Sequence, residues 1–329
     1  MGTAQSTTTA TPRRQLRGSI LRSPILGPVA ALVLASTFFA LATPRFLSGE
    51  NFSLILQQVM VVGVLAIGQT LVIITTGIDL SNGMVMALSG VLLASFAADK
   101  GLNPWLAMLL GLVVAAGFGL LNGSLVTGIG LPAFIVTLGT MNIAYALTRI
   151  YTTSTISDLP PELTFLGDTF SVGGTQIATG TILMLALYLL TWFMMRYTAS
   201  GRTVYAVGDN IEAARLAGIN TSRVLRGVYT IAGLSYGVAA ILQVARTGVG
   251  DPQAGQTSNL DSITAVVLGG TSLFGGRGSI VGTLIGVLIV GVFRNGLQLL
   301  GVESTYQVLI TGILVIAAVS VDQLTHRRK

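Results

Sequence analysis

Residues Arg196–Gly227 read RYTASGRTVYAVGDNIEAARLAGINTSRVLRG. They interrupt a chain that is otherwise almost continuous apolar run. The stretch holds five Arg against one Asp and one Glu, and it carries a short helix signal of its own. Asp209-Asn-Ile-Glu212 has the form of a capping box, with Asp209 as the cap and Glu212 placed to reach back to its amide. Gly218 can supply the left-handed turn that ends the helix. Arg215 falls in the last turn, where the helix dipole favours a cation. About two turns of helix are too short to stand alone in water. The segment is either a solvated loop that caps itself or a helix that rests on something else.

Outward from this stretch, composition sets the class. The 329 residues are 52% hydrophobic and 9% charged, whereas soluble domains are about 25% charged. A spanning helix needs about 20 apolar residues. Ten runs come close to that length: 25–43, 53–76, 82–98, 104–127, 131–151, 177–195, 224–246, 259–274, 279–300 and 304–322. The expected fold is all-α: a polytopic integral membrane protein of about ten transmembrane helices, with residues 1–24 a disordered basic N-terminus and 25–329 a single transmembrane domain. Ala40-Leu41-Ala42 imitates a signal-peptidase site, but the long basic region before it favours an uncleaved first anchor. There is no cysteine, one histidine (His326) and two lysines, Lys100 and Lys329. The net charge of +6 is mostly Arg beside apolar runs. That is the pattern of orientation in a membrane rather than of a nucleic-acid groove.

An N-terminus on the inside puts 152–176 outside, with Asp158, Glu162 and Asp168 and no basic residue. Arg196–Gly227, Arg277 and the tail with Arg327, Arg328 and Lys329 then fall inside, as the positive-inside rule expects. Tyr188, Trp192 and Tyr197 suit an aromatic belt. Small residues recur every four positions at Gly111, Ala115 and Gly119, and again at Gly282 and Gly286, which suits close packing within one bundle.

Two apolar stretches look broken. Gly77, Asp79, Ser81, Asn82 and Gly83 interrupt one of them. Gly269-Gly270 and Gly275-Gly276-Arg277-Gly278 interrupt the other, and Gly77/Gly275 and Ser81/Ser279 match at an offset of 198 residues. Non-helical backbone at membrane depth is tolerated where it is buried or lines a cavity, and ionisable groups there are functional candidates. Sugar hydroxyls need convergent donors and acceptors. The scarce polar groups near the breaks, Gln69, Asp79, Asn82, Asn142, Asp261 and Asn295, are therefore the candidates for a substrate pathway. Arg149 and Arg294 lie near run ends and can snorkel.

No phosphate-binding G-x-x-x-x-G-K-[ST] loop occurs, so the chain cannot hydrolyse ATP by that route alone. Gly233-Leu-Ser235-Tyr-Gly237 matches a nucleophile elbow, but no base accompanies it. No cluster of His, Cys and carboxylates suggests a metal. An ion-coupled secondary transporter using Asp79 and Asp261 is the alternative of a different class.

Several motifs together resemble one family. Glu212-Ala213-Ala214-Arg215-Leu-Ala-Gly218 is similar to the EAA-x-x-x-G core of binding-protein-dependent ABC importer permeases. Gly77–Ser81 (GIDLS), Arg202–Gly208 (RTVYAVG), Leu260–Gly286 and Asn295–Val302 (NGLQLLGV) resemble segments of the ribose/xylose/galactoside-type sugar permeases, in order and from about residue 46 onward. The I-x-L-P ending of the wider motif is absent after Gly218. The resemblance implies a permease subunit in the bacterial inner membrane, with both termini cytosolic. It implies a partner ATPase that binds the ATP, a periplasmic or lipid-anchored sugar-binding protein, and a second permease copy or paralogue. It also implies that residues 196–227 form the coupling loop. Asp209, Glu212, Ala213, Ala214, Arg215 and Gly218 would dock that loop on the ATPase, with no cofactor in this chain.

Overall fold

A computed structural model describes residues 25–173 and 175–327, so the expectations for residues 1–24 and for Arg328 and Lys329 lie outside it. The chain is mostly helical. In order come α1 (Leu26–Ala42), a 3-10 turn (Pro44–Leu47), α2 (Gly49–Ile74), α3 (Asn82–Ala98), α4 (Pro104–Gly128) and α5 (Ala133–Tyr151). A single turn Pro161–Thr164 and a hairpin of β1 (Thr169–Val172) and β2 (Thr175–Ala178) lead to α6 (Thr179–Tyr197). Then follow α7 (Ala199–Asp209), α8 (Ile211–Leu216), α9 (Thr221–Thr247), α10 (Ser258–Leu268), α11 (Ile280–Leu299) and α12 (Ser304–Arg327).

Six of these, α2, α4, α5, α6, α9 and α11, are long and apolar enough to cross a membrane. α1, α3 and the apolar part of α12 are shorter. The run 259–274 is helical only to Leu268, because Gly270 at φ 85° turns the chain out of the helix. An 11-residue helix spans about half a bilayer.

The bundle is built around α2, whose most apolar window is 89% buried. α9, α10, α11 and α6 surround it, and α1 joins through Phe39, whose ring covers Gly296 of α11 and meets Phe293 edge-on at 5.7 Å. The small-residue stripes are seams within the chain. A side chain at Gly119 would enter the Tyr229 carbonyl of α9, and one at Gly286 would enter the Ala265 carbonyl of α10. Such approaches let dispersion hold helices together where lipid offers no hydrophobic contrast. Tyr188 does not belong to an aromatic belt. It is buried, and its hydroxyl donates to the Gly63 carbonyl at 3.0 Å. Trp192 and Tyr197 meet edge-on at 5.5 Å.

Both breaks are real, and they use one cap. α2 ends with Thr76 NH donating to Ile73 O and Gly77 NH to Val72 O. α10 ends with Gly270 NH donating to Val267 O and Thr271 NH to Val266 O. This is the paired bonding of a Schellman terminus. At Thr76 it forces a β-branched residue to φ 64°, a conformation that costs about 1–3 kcal/mol. The helices that follow start 198 residues apart, after Ser81 and Ser279, but the preceding helix ends are 194 apart. Gly77 and Gly275 therefore occupy different positions: Gly77 closes the α2 cap, and Gly275 lies in the loop beyond the α10 cap.

The breaks leave α3 and α10 with their N-termini facing each other. Asn82 Nδ2 donates to Ser262 Oγ at 2.8 Å, and a side chain at Gly83 would strike the Gly255 carbonyl. From there α3 runs to the end bearing residues 152–178, where Ser95 Oγ and Tyr151 OH lie 2.8 Å apart. α10 runs the other way, toward α7 and α8. Residues 248–257 enter the bundle to reach this meeting point, descending from Gly250, which pairs with Ile156 of the opposite loop.

Candidate functional site

Two helix N-termini that meet inside a bundle bring two positive dipole ends together. Asp79 lies at the first of them, bonded to Ser81 at the start of α3. Asp79 is fully buried; its Oδ1 accepts from Ser81 NH (2.8 Å) and Ser81 Oγ (2.6 Å), and its Oδ2 accepts from Tyr236 OH (3.1 Å). Asn122 Nδ2 donates to Ser81 Oγ at 3.1 Å, and Thr140 Oγ1 donates to Asn122 Oδ1 at 2.8 Å. The network thereby ties the break to α4, α5 and α9. Next to it Asn82 Nδ2 also donates to Gln69 Oε1 at 3.2 Å. Gln69 Nε2 and Asn82 Oδ1 are buried without a hydrogen-bond partner among the described residues. They leave one donor and one acceptor side by side at the helix meeting point.

Asp261 lies in the first turn of α10, on a cleft between α10, α11 and α12. Its Oδ2 accepts from Arg294 Nη1 at 3.1 Å, with the carboxylate side chain 7% exposed and the guanidinium 52%. Gln307, Thr311 and Thr257 line the same cleft. Arg294 is thus a paired, cleft-facing group rather than one that only snorkels to a surface. An intramembrane ion pair beside an opening is where a polar path is expected.

Of the candidate pathway residues, Gln69 and Asn82 are hydrogen-bonded to each other, Asp79 lies in the adjacent network, and Asp261 belongs to the neighbouring cleft. Asn295 is elsewhere, buried and donating to Asn51 Oδ1 at 2.8 Å. Asn142 lies on an exposed face of α5 and donates to its own helix at Leu138 O, 2.9 Å. Ser81, Asn122, Thr140 and Tyr236 complete the Asp79 network, and Ser262 completes the pair of Gln69 and Asn82. Single hydroxyls in apolar helices give no signal in a sequence until the partners across the bundle are known. Ser235 sits in mid-helix in α9, its Oγ donating to Ala232 O at 2.7 Å. It is not on the strand-to-helix turn of a nucleophile elbow.

The Arg196–Gly227 stretch is two helices, α7 and α8, before α9. Thr198 caps α7, with Oγ1 accepting from Gly201 NH. The cap of α8 is one residue later than the spacing predicts. Asn210 Oδ1 accepts from Ala213 NH at 2.9 Å, whereas Asp209 is the last residue of α7. Glu212 pairs with Arg215 at 3.0 Å instead of reaching back, and both are exposed. Gly218 ends α8 at φ 85°, with Gly218 NH donating to Arg215 O and Ile219 NH to Ala214 O. Ala214 is buried with Val207 and Leu225 beneath α8, while Leu216 is 86% exposed and Ile211 45%.

α7 fastens this block to both breaks. A side chain at Gly208 would run into the Ile74 carbonyl at the end of α2. That same carbonyl accepts from Gly276 NH at 2.9 Å. Tyr205 OH donates to Gly278 O at 2.9 Å. Burial pushes the Tyr205 phenol above its usual value, with Arg196 opposing, so the hydroxyl stays a donor. The end of α2, loop 269–279 and α7 therefore form one knot.

A family model described as "Branched-chain amino acid transport system / permease component" matches residues 51–319. The chain is 44% identical over 317 residues to the fructose import permease protein FrcC of Rhizobium meliloti, covering 94% of this chain and 88% of that protein. It is 41% identical over 301 residues to the ribose import permease protein RbsC of Bacillus subtilis, covering 91% and 92%. With the D-allose transport system permease protein AlsC of Escherichia coli it shares 36% identity over 299 residues, 90% of each.

Proposed function

We propose a function that proceeds from one premise, that this chain belongs to the branched-chain amino acid transport system / permease component family and is a sugar ABC importer permease. It is the membrane-spanning subunit through which a monosaccharide crosses the inner membrane. A separate cytosolic ATPase supplies the energy, a sugar-binding protein outside delivers substrate, and a second permease copy or paralogue completes the pathway. The charge distribution supports cytosolic termini: the Arg-bearing residues 196–226 lie at one end of α6, and the acidic 152–178 segment lies at the other.

The observation that carries the reading is α8. It is six residues long, capped at both ends and bolted to the breaks, and it turns Leu216 outward at the charged end of the bundle. A helix that short gains its stability from contacts, and the ATPase provides the outer one. Asp209, Glu212, Ala213, Ala214, Arg215 and Gly218 form or position this docking helix. Asp261 and Arg294 line the sugar path, a net-neutral pair offering both acceptor and donors to hydroxyls. Gln69, Asp79 and Asn82 sit at the point where the two half-helices part or meet as the path opens.

The test is reconstitution in vesicles with the cognate ATPase and binding protein, and uptake of ribose, fructose, allose and galactose. Uptake of at least one of them is expected only with ATP and all subunits. Concentrative uptake by the permease alone would overturn the proposal in favour of ion coupling through Asp79 and Asp261. Both carboxylates are already engaged within the chain, Asp79 by Ser81 and Tyr236 and Asp261 by Arg294, which favours the ATP-driven reading.

A further inference from the structure

Loop 269–279 lies beside α8, at the same end of the bundle. The Gly276 backbone packs against Asp209, two residues before α8 begins: a side chain there would come within 2.9 Å of Asp209 Cα. Gly275 and Gly276 both adopt left-handed backbone, φ 81° and 67°, and make a tight turn. Gly276 NH pins that turn to Ile74 O, and Ser272 NH donating to Arg277 O at 3.0 Å closes it. The turn holds Phe274 45% exposed, on the same end as Leu216 and Ile211. Asp209, Glu212, Arg215 and Arg277, all exposed, lie on the same two segments as these three apolar side chains. A lipid-facing surface has no such charges. Exposed apolar side chains among charges, held on rigid backbone, have the anatomy of a protein-docking surface.

Resting on the reading above, we infer that the ATPase is held at two places: α8, and the turn of loop 269–279 with Phe274 as its apolar anchor. The partner surface is an apolar recess with an acidic residue at its edge to match the Arg277 guanidinium, Arg215 being paired with Glu212. Loop 269–279 continues into α10, which carries Asp261 at its far end. The second contact therefore gives the ATPase a grip on the half-helix that borders the cleft, along with the grip through α7 on the end of α2.

The chain has no cysteine, so single-cysteine variants report one position each. Leu216→Cys, Phe274→Cys and the lipid-facing control Leu189→Cys are made in the assembled, transporting complex and labelled with a photoreactive maleimide. Adducts with the ATPase are expected at 216 and 274 and not at 189. Phe274→Ser is expected to weaken ATPase association about tenfold, and Phe274→Tyr to restore it. An adduct at 216 alone, or an adduct from 274 to lipid or to a second permease copy, overturns the two-point contact and leaves the proposed function standing. Absence of adducts at both positions in a complex that transports overturns the docking role of α8 as well.

Discussion

Gly208→Ala is the sharpest single perturbation of the knot. The added methyl would overlap the Ile74 carbonyl, which is backbone and cannot rotate away. Either α7 withdraws from α2, or the Ile74 carbonyl moves and loses its bond from Gly276 NH at 2.9 Å. Overpacking of this kind costs about 1–3 kcal/mol, and a backbone hydrogen bond contributes about 1 kcal/mol. The docked arrangement is thus disfavoured by roughly 2–4 kcal/mol, an equilibrium shift of roughly 30- to 700-fold. In the reconstituted complex the variant should insert and still bind ATPase through α8, whose outer face is untouched, with any weakening of binding no larger than that of Phe274→Ser. Sugar moved per ATP hydrolysed should fall by at least tenfold. Gly227→Ala in α9, with nothing within 4 Å of the added atom, is the matched control and should behave as the parent. If Gly208→Ala transports with parental stoichiometry, the knot does not carry the stroke and the reasoning is refuted.

Three more predictions concern the other contacts. Tyr236→Phe removes one donor from the buried Asp79 carboxyl group and should cost about 1 kcal/mol, read as a lowered thermal midpoint in detergent; an unchanged midpoint would count against the network as a structural tie. Asp261→Asn leaves Arg294 without its counter-charge and should reduce uptake about tenfold with ATPase association intact, so full uptake would place the sugar path elsewhere. Asn210→Ala should destabilise α8 by about 1 kcal/mol and weaken ATPase association, whereas Asp209→Ala should leave the cap intact; equal loss of hydrogen-exchange protection at the Ala213 amide in both variants would show that the cap assignment is wrong.

Much of the architecture was legible because membrane helices announce themselves by length. Nine of the ten apolar runs coincide with helices to within a few residues at most ends. The break at 75–81 was legible because Gly77, Asp79, Ser81 and Asn82 have no other business between apolar runs. The second break was marked by Gly269-Gly270, but the apolar run 259–274 overran it because Leu273 and Phe274 follow the left-handed Gly270 that ends α10. α7 was missed because its two glycines read as loop; both are needed for close approach, Gly201 to the end of α6 and Gly208 to α2. The cap of α8 slipped by one residue because Asp209 and Asn210 are adjacent and equally able to cap, and α7 claims the first. At the candidate site, the carboxylates stood out in the sequence, but the pairing of Asp261 with Arg294, 33 positions away, is set by how α10 crosses α11. The asparagines divided for a similar reason: Asn82 faces the half-helix junction, while Asn142 points off the bundle.

The deep burial of α2 also bears on the order of events during synthesis. This helix is apolar enough to cross a membrane, yet nine-tenths of its central window is covered by protein. The helices that cover it, α9 and α11, emerge later, and α11 is finished about 225 residues after α2. At ~5–20 residues per second, α2 waits roughly 11–45 s in contact with lipid or with the insertion machinery before its neighbours exist. During that interval Thr70 has only the Ala66 carbonyl of its own helix and not Thr283 of α11, so a chaperoned or provisional location for α2 is built into the sequence order of the fold.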